Sequence, residues 1–124
     1  RPTLKRIALV PESLNDQVCS TGYFVFRPKS ELIPRTIYYF LQTNDFMNRM
    51  EVIQKGASYP AVNDSEVRAQ ILPLPPLTTQ QAIVEKLDAL SEETKRLEAI
   101  YERKKTALAE LKQSLLQKAF AGEL

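Results

Sequence analysis

The sequence predicts an α+β protein, a small block of about three strands and two helices followed by one long C-terminal helix. Three observations carry that expectation. Short aliphatic and aromatic runs closed by proline stand near the N-terminus and again just before the Pro-rich run LPLPPL. Apolar residues recur at helical spacing between Pro34 and Ile53, and from Thr78 to Ala121 there is neither proline nor glycine. The implied organisation is a block over 1–72, a Pro-rich elbow over 73–77 and a helix over 78–121.

Leu4 to Val10 (LKRIALV) is a branched aliphatic run stopped by Pro11, which reads as a first strand. PESLND then has turn chemistry. Gly22 opens GYFVFRP, where Tyr23 and Val25 alternate with Phe24 and Phe26; with both faces apolar, this second strand is expected to be covered on both sides. Pro34 suits the first turn of a helix whose inner face is Ile37, Phe40 and Leu41. Thr43 or Asn44 caps the next helix, which turns Phe46, Met47, Met50 and Ile53 inward and ends near Lys55 and Gly56. GASYPAVNDSE is irregular enough to be a surface loop leading at most into one helical turn, and Val67 to Leu74 reads as the last strand. LPLPPL would run extended and stiff.

The long helix has a start signal in Thr78 with Gln81 three residues on, a capping box, and a stop signal in Gly122. At ~1.5 Å per residue it would be roughly 65 Å long. Its apolar residues fall on an unbroken heptad seam: Leu87, Thr94, Tyr101, Leu108 and Leu115 at one position, Ile83, Leu90, Leu97, Lys104 and Leu111 at the other. Thr94 and Lys104 are polar intrusions of the kind that fix register in coiled coils. Ile100, Leu116, Ala119 and Phe120 widen the stripe toward the C-terminal end. Such a helix either folds back on its own block or packs as a two-stranded or antiparallel coiled coil with a segment outside this chain. The small upstream block favours the second arrangement, and self-association through Ile83 to Leu115 is the consequence expected of the isolated chain.

Composition narrows the function classes. There is no histidine and one cysteine, Cys19, which excludes an internal disulfide and makes a zinc site untenable; Cys19 is expected to be a small buried hydrophobe. Without histidine the commonest general base is missing, and no serine or cysteine has an obvious activator, so no catalytic residues are assigned. The net charge of +2 does not by itself diagnose a nucleic-acid partner. From Thr78 onward eight acidic residues balance eight basic ones, so the surplus lies upstream, where Arg1, Lys5, Arg6, Arg27 and Lys29 cluster. The apolar runs are too short to span a membrane and no export leader is visible, so the cytoplasm is the expected compartment. An initial Arg suggests a fragment of a longer protein.

LPLPPLTTQQAIVEKLDAL together with LKQSLLQKAFAGEL resembles the conserved C-terminal region of specificity subunits of type I restriction-modification systems, and STGYFVFRP and GASYPAV resemble the distal half of one of their target recognition domains. The resemblance covers nearly the whole chain. It implies a non-catalytic subunit that reads a split DNA target through two recognition domains held apart by two antiparallel helices. It also implies docking of methyltransferase subunits and, through them, restriction subunits; S-adenosylmethionine, ATP and Mg would belong to those partners, and this chain would hold no cofactor or metal. By this resemblance 1–72 is the distal part of a DNA target recognition domain and 78–121 a spacer helix. An oligomerisation or adaptor module that binds protein instead of DNA is the alternative.

For double-stranded DNA, phosphates call for Arg, Lys and small donors, and bases for a few side chains that reach a groove edge. The loop from Gly56 to Val62 is the first candidate: Lys55 to meet a phosphate, Gly56 for close backbone approach, Ser58 and Tyr59 as donors. Tyr59 and Pro60 packing the loop down is the competing reading. Arg27 with Lys29, and Lys5 with Arg6, are second candidates, against the ordinary reading of solvated or paired surface charge. Leu116 and Phe120 are the expected apolar anchors for subunit docking, whereas Glu98, Arg103 and Lys105 read most simply as solvated helix surface.

Overall fold

The computed structural model describes residues 2–56 and 59–123. Four α-helices occur among them: α1 (Pro34–Leu41), α2 (Asn44–Ile53), α3 (Asp64–Arg68) and α4 (Leu77–Ala121), with short 3-10 turns at Pro2–Leu4 and Glu12–Leu14. The chain divides into two compact units, Arg1–Glu85 and Lys86–Leu124.

The described residues contain no β-strand, only an isolated antiparallel bridge between Lys55 and Ala61, so the α+β expectation with three strands is overturned. A strand exists through a ladder to a partner, and an apolar run without one remains extended coil. Each expected strand fails for a local reason. In Leu4–Val10 the backbone turns at Lys5, whose φ is 47°, and Lys5 N–H closes back on the Pro2 carbonyl at 2.9 Å. Residues 23–29 keep the period-2 alternation but only one side is covered: Phe24, Phe26 and Pro28 are half-buried, while Tyr23, Val25, Arg27 and Lys29 are exposed. Val67 belongs to α3, so the expected third strand opens inside a helix. Cys19 is also a correction: it is exposed, within a stretch from Ala8 to Tyr23 that contributes nothing to the core.

The helices form where the sequence places their signals. Pro34 occupies the first turn of α1, where a missing N–H costs nothing. Thr43 serves two helices at once: its Oγ1 accepts from the Phe46 N–H at 3.2 Å to cap α2 and donates to the Phe40 carbonyl at 2.8 Å to close α1. That sharp α1–α2 corner brings Leu41, Phe46 and Met50 together as the core, and Ile7, Phe26, Ile37, Phe40, Val62 and Val67 pack around it. Arg49 binds the corner to the later chain. It pairs with Asp45 at 2.8 Å, donates to the Ile71 carbonyl at 3.2 Å and lies 5.5 Å from the Phe40 ring centre.

Helix α4 begins at Leu77, one residue before the expected capping box. The Pro76 carbonyl receives the N–H groups of Thr79 and Gln80 at 2.9 and 3.0 Å, so Thr78 lies inside the helix. At the other end Gly122 has a φ of 75° and the Glu123 N–H returns to the Lys118 carbonyl at 2.8 Å, a Schellman closure. Within its first two turns the buried side chains are Gln80 and Val84, whereas Ile83 is 40% exposed.

Candidate nucleic-acid interface

The loop after α2 is built around Lys55. The Lys55 and Ala61 backbones exchange two hydrogen bonds of 3.0 Å each, which pins both ends of the intervening turn. Gly56 has a φ of 103°, and a Cβ there would meet the Tyr59 carbonyl oxygen at 2.9 Å. Only glycine satisfies both the left-handed backbone and that close approach. Tyr59 is 69% exposed, so its side chain does not serve as the plug of the loop; Pro60 is half-buried. Ser58, the remaining candidate of this loop, lies outside the described residues.

Sequence reasoning missed the partner of Lys55. Its Nζ sits 2.8 Å from Glu66 Oε1. Glu66 is fixed by a capping box at the start of α3: Asn63 Oδ1 accepts the Glu66 N–H at 2.9 Å and Glu66 Oε2 accepts the Asn63 N–H at 2.9 Å. The hydrogen bond from Lys55 and that from the Asn63 backbone hold the Glu66 carboxyl below its ordinary value, and the Glu66 carboxylate holds the Lys55 ammonium above its own. The signal was available in NDSE, where Asn precedes Glu by three residues. Lys55 remains 78% exposed along its side chain. It therefore presents a positioned ammonium, partly neutralised by Glu66, to anything that approaches the loop.

The other cations lie on separate stretches. Arg27 and Lys29 point outward from the same side of the extended 23–29 segment, anchored from beneath by Phe26. Nearby, Arg68 of α3 sits 5.3 Å from the Phe24 ring, a cation–π contact that adds a further exposed guanidinium at this edge. Lys5 and Arg6 are exposed directly after the 3-10 turn that packs on α2. Among the described residues no group of His, Cys, Asp and Glu side chains could hold a metal ion.

In α4 the seam residues are largely open. Leu90 is 62% exposed, Leu108 66% and Phe120 91%. Leu97, Tyr101, Leu111, Leu115 and Leu116 are exposed too, while Leu87 and Ile100 are half-buried. The two polar intrusions are accommodated locally. Thr94 Oγ1 donates to the Leu90 carbonyl at 2.9 Å, and Lys104 Nζ lies 5.6 Å from the Tyr101 ring centre. A hydroxyl bonded to its own helix can enter an apolar seam without an orphaned donor.

Residues 6–106 match the family described as Type I restriction modification DNA specificity domain, and the chain belongs to that family. Among curated proteins it is similar to the type I restriction enzyme EcoKI specificity subunit of Escherichia coli K12, with 29% identity over 86% of this chain and 23% of that protein. It is likewise similar to the StySPI specificity subunit of Salmonella potsdam, with 28% identity over the same shares. The chain thus spans less than a quarter of the length of these relatives. The family resemblance read from the sequence holds. No solved structure matches the chain. No helix among the described residues is long and apolar enough to cross a membrane.

Proposed function

We propose that this chain acts within a non-catalytic specificity subunit of a type I restriction-modification enzyme, reading one half of a two-part DNA target and scaffolding methyltransferase subunits through α4. The family match carries this reading, because residues 6–106 include both the small block and most of the long helix. The exposed side chains of Lys55, Tyr59, Arg27, Lys29, Lys5 and Arg6 supply phosphate and base contacts, with Gly56 letting the backbone approach and Ser58 as a further donor. The seam from Ile83 to Leu115 takes a second helix, which in the isolated chain is another copy of itself; Leu116 and Phe120 dock a partner subunit. S-adenosylmethionine, ATP and Mg belong to those partners, and the assembly works in the cytoplasm.

The test is binding of duplex DNA by the assembled specificity–methyltransferase complex across a salt series. A steep loss of affinity with salt is expected. Arg27→Ala or Lys55→Ala should each weaken all duplexes and reduce the slope of log K against log salt by about one unit. An adaptor that binds only protein would show no salt-dependent DNA binding, and an unchanged slope would place those two residues off the DNA.

A further inference from the structure

The two polar positions of the α4 seam say what fits against it. Between Leu87 and Leu111, all inside Lys86–Leu124, the seam reads Leu87, Leu90, Thr94, Leu97, Tyr101, Lys104, Leu108 and Leu111. Of these, Leu90, Leu97, Tyr101, Leu108 and Leu111 are exposed hydrophobic side chains. The order is its own complement about Ala99. Leu97 and Tyr101 stand two residues either side of it, Thr94 and Lys104 five, Leu90 and Leu108 nine, and Leu87 and Leu111 twelve. Across an antiparallel pair the two seam positions of the heptad face each other. A copy running the opposite way and centred on Ala99 therefore sets apolar against apolar at Leu87–Leu111, Leu90–Leu108 and Leu97–Tyr101, and polar against polar at Thr94–Lys104.

The chemistry of that polar layer matches. Thr94 already gives its hydroxyl proton to the Leu90 carbonyl at 2.9 Å, so its oxygen is left as an acceptor. Lys104 brings only donors, and among the described residues its ammonium meets the Tyr101 ring at 5.6 Å and no carboxylate. Other arrangements lose the match. A parallel copy in register sets Lys104 against Lys104, two like charges in an apolar seam. An antiparallel copy slid by one heptad sets Thr94 against Leu97 or Leu111, and Lys104 against Leu87 or Tyr101. We propose that residues 87–111 bind a second copy of this helix antiparallel, in the one register centred on Ala99, which the Thr94–Lys104 pairs select. This deepens the self-association proposed above and rests on it, whereas the DNA reading stands or falls separately. A polar pair in an apolar seam fixes register at a cost in stability, so its removal should loosen the register without losing the association.

The experiment oxidises single-cysteine variants of the full chain, in a background where the exposed Cys19 is replaced (Cys19→Ser), and reads the disulfide-linked dimer. Leu90→Cys and Leu108→Cys should each stay uncrosslinked alone and should crosslink when mixed. Mixtures of Leu90→Cys with Tyr101→Cys or Leu115→Cys, the facing positions in the two slipped registers, should give about tenfold less. Adding Lys104→Met to both partners should keep the dimer in sedimentation and raise the slipped mixtures to a yield comparable with Leu108→Cys. Crosslinking by Leu90→Cys alone marks a parallel pair, and a slipped mixture that equals Leu108→Cys without Lys104→Met marks another register; either overturns the proposal. An unchanged pattern in Lys104→Met overturns it too. Absence of crosslinks in every mixture overturns the register if sedimentation still finds a dimer, and overturns the self-association with it if sedimentation finds a monomer.

Discussion

The two units of this chain are stabilised by opposite means. In Arg1–Glu85 most of the backbone lies outside helices, and order comes from contacts between residues distant in sequence: the Leu41–Phe46–Met50 core, the Arg49 tie to Ile71, and Gln80 reaching back to Glu31 and Ile33. In Lys86–Leu124 local ion pairs recur along the helix. Lys95 pairs with Glu92 at 2.7 Å, Arg96 with Glu93 at 2.8 Å and Lys105 with Glu102 at 3.4 Å, each three residues apart on one helix. Exposed pairs of this kind contribute only a few tenths of a kcal/mol each. The first unit is organised around its own interior, whereas the second carries an apolar seam that is largely exposed.

Three substitutions sharpen that contrast. Met50 is 1% exposed at the centre of the core, and Met50→Ala should cost roughly 2–5 kcal/mol by leaving a cavity. Hydrogen exchange should register the loss in α1 and α2 but not in the amides of residues 95–115; uniform loss along the whole chain would erase the distinction between the units. Gly56→Ala forces a left-handed residue against the Tyr59 carbonyl and should cost about 1–3 kcal/mol, read by urea denaturation. No change in the midpoint would mean that the loop rearranges freely.

The smallest effect is set by pH. The Glu66 carboxyl is depressed below its ordinary 4.5 by Lys55 and the Asn63 N–H, so its contribution to folding is present above that value and is lost as pH falls through the lower folded pKa. Lys55 is raised above 10.5, so its contribution is present below that value and is lost as pH rises through the higher folded pKa. Glu66→Gln should therefore be less stable than wild type at neutral pH, and the difference should shrink in acid. A difference independent of pH would remove the ion pair from the account.

Helices were more legible than anything else because their signals are local. Pro34, the Thr43 cap, the Phe46–Met47–Met50 face and Gly122 each act within a turn or two of their own position. The supposed strands were not legible, since alternation in GYFVFRP reports which side chains face inward but says nothing about a ladder partner. Within the candidate interface, Lys55 and Gly56 could be singled out by residue type, while the Glu66 partner depended on reading NDSE as a cap. Gln80 was hidden between Thr79 and Gln81 in a polar run. Its place on the same helical face as Val84 was the available clue, because a polar residue four positions from a buried valine must either be buried with a partner or break the stripe.

Whether the α4 seam takes a second helix is decided by sedimentation equilibrium of the chain. If it does, a dimer or larger assembly forms at tens of micromolar, and Leu97→Asp converts it to monomer with its helix content retained. A monomeric wild type at that concentration, or an assembly unaffected by Leu97→Asp, would contradict it.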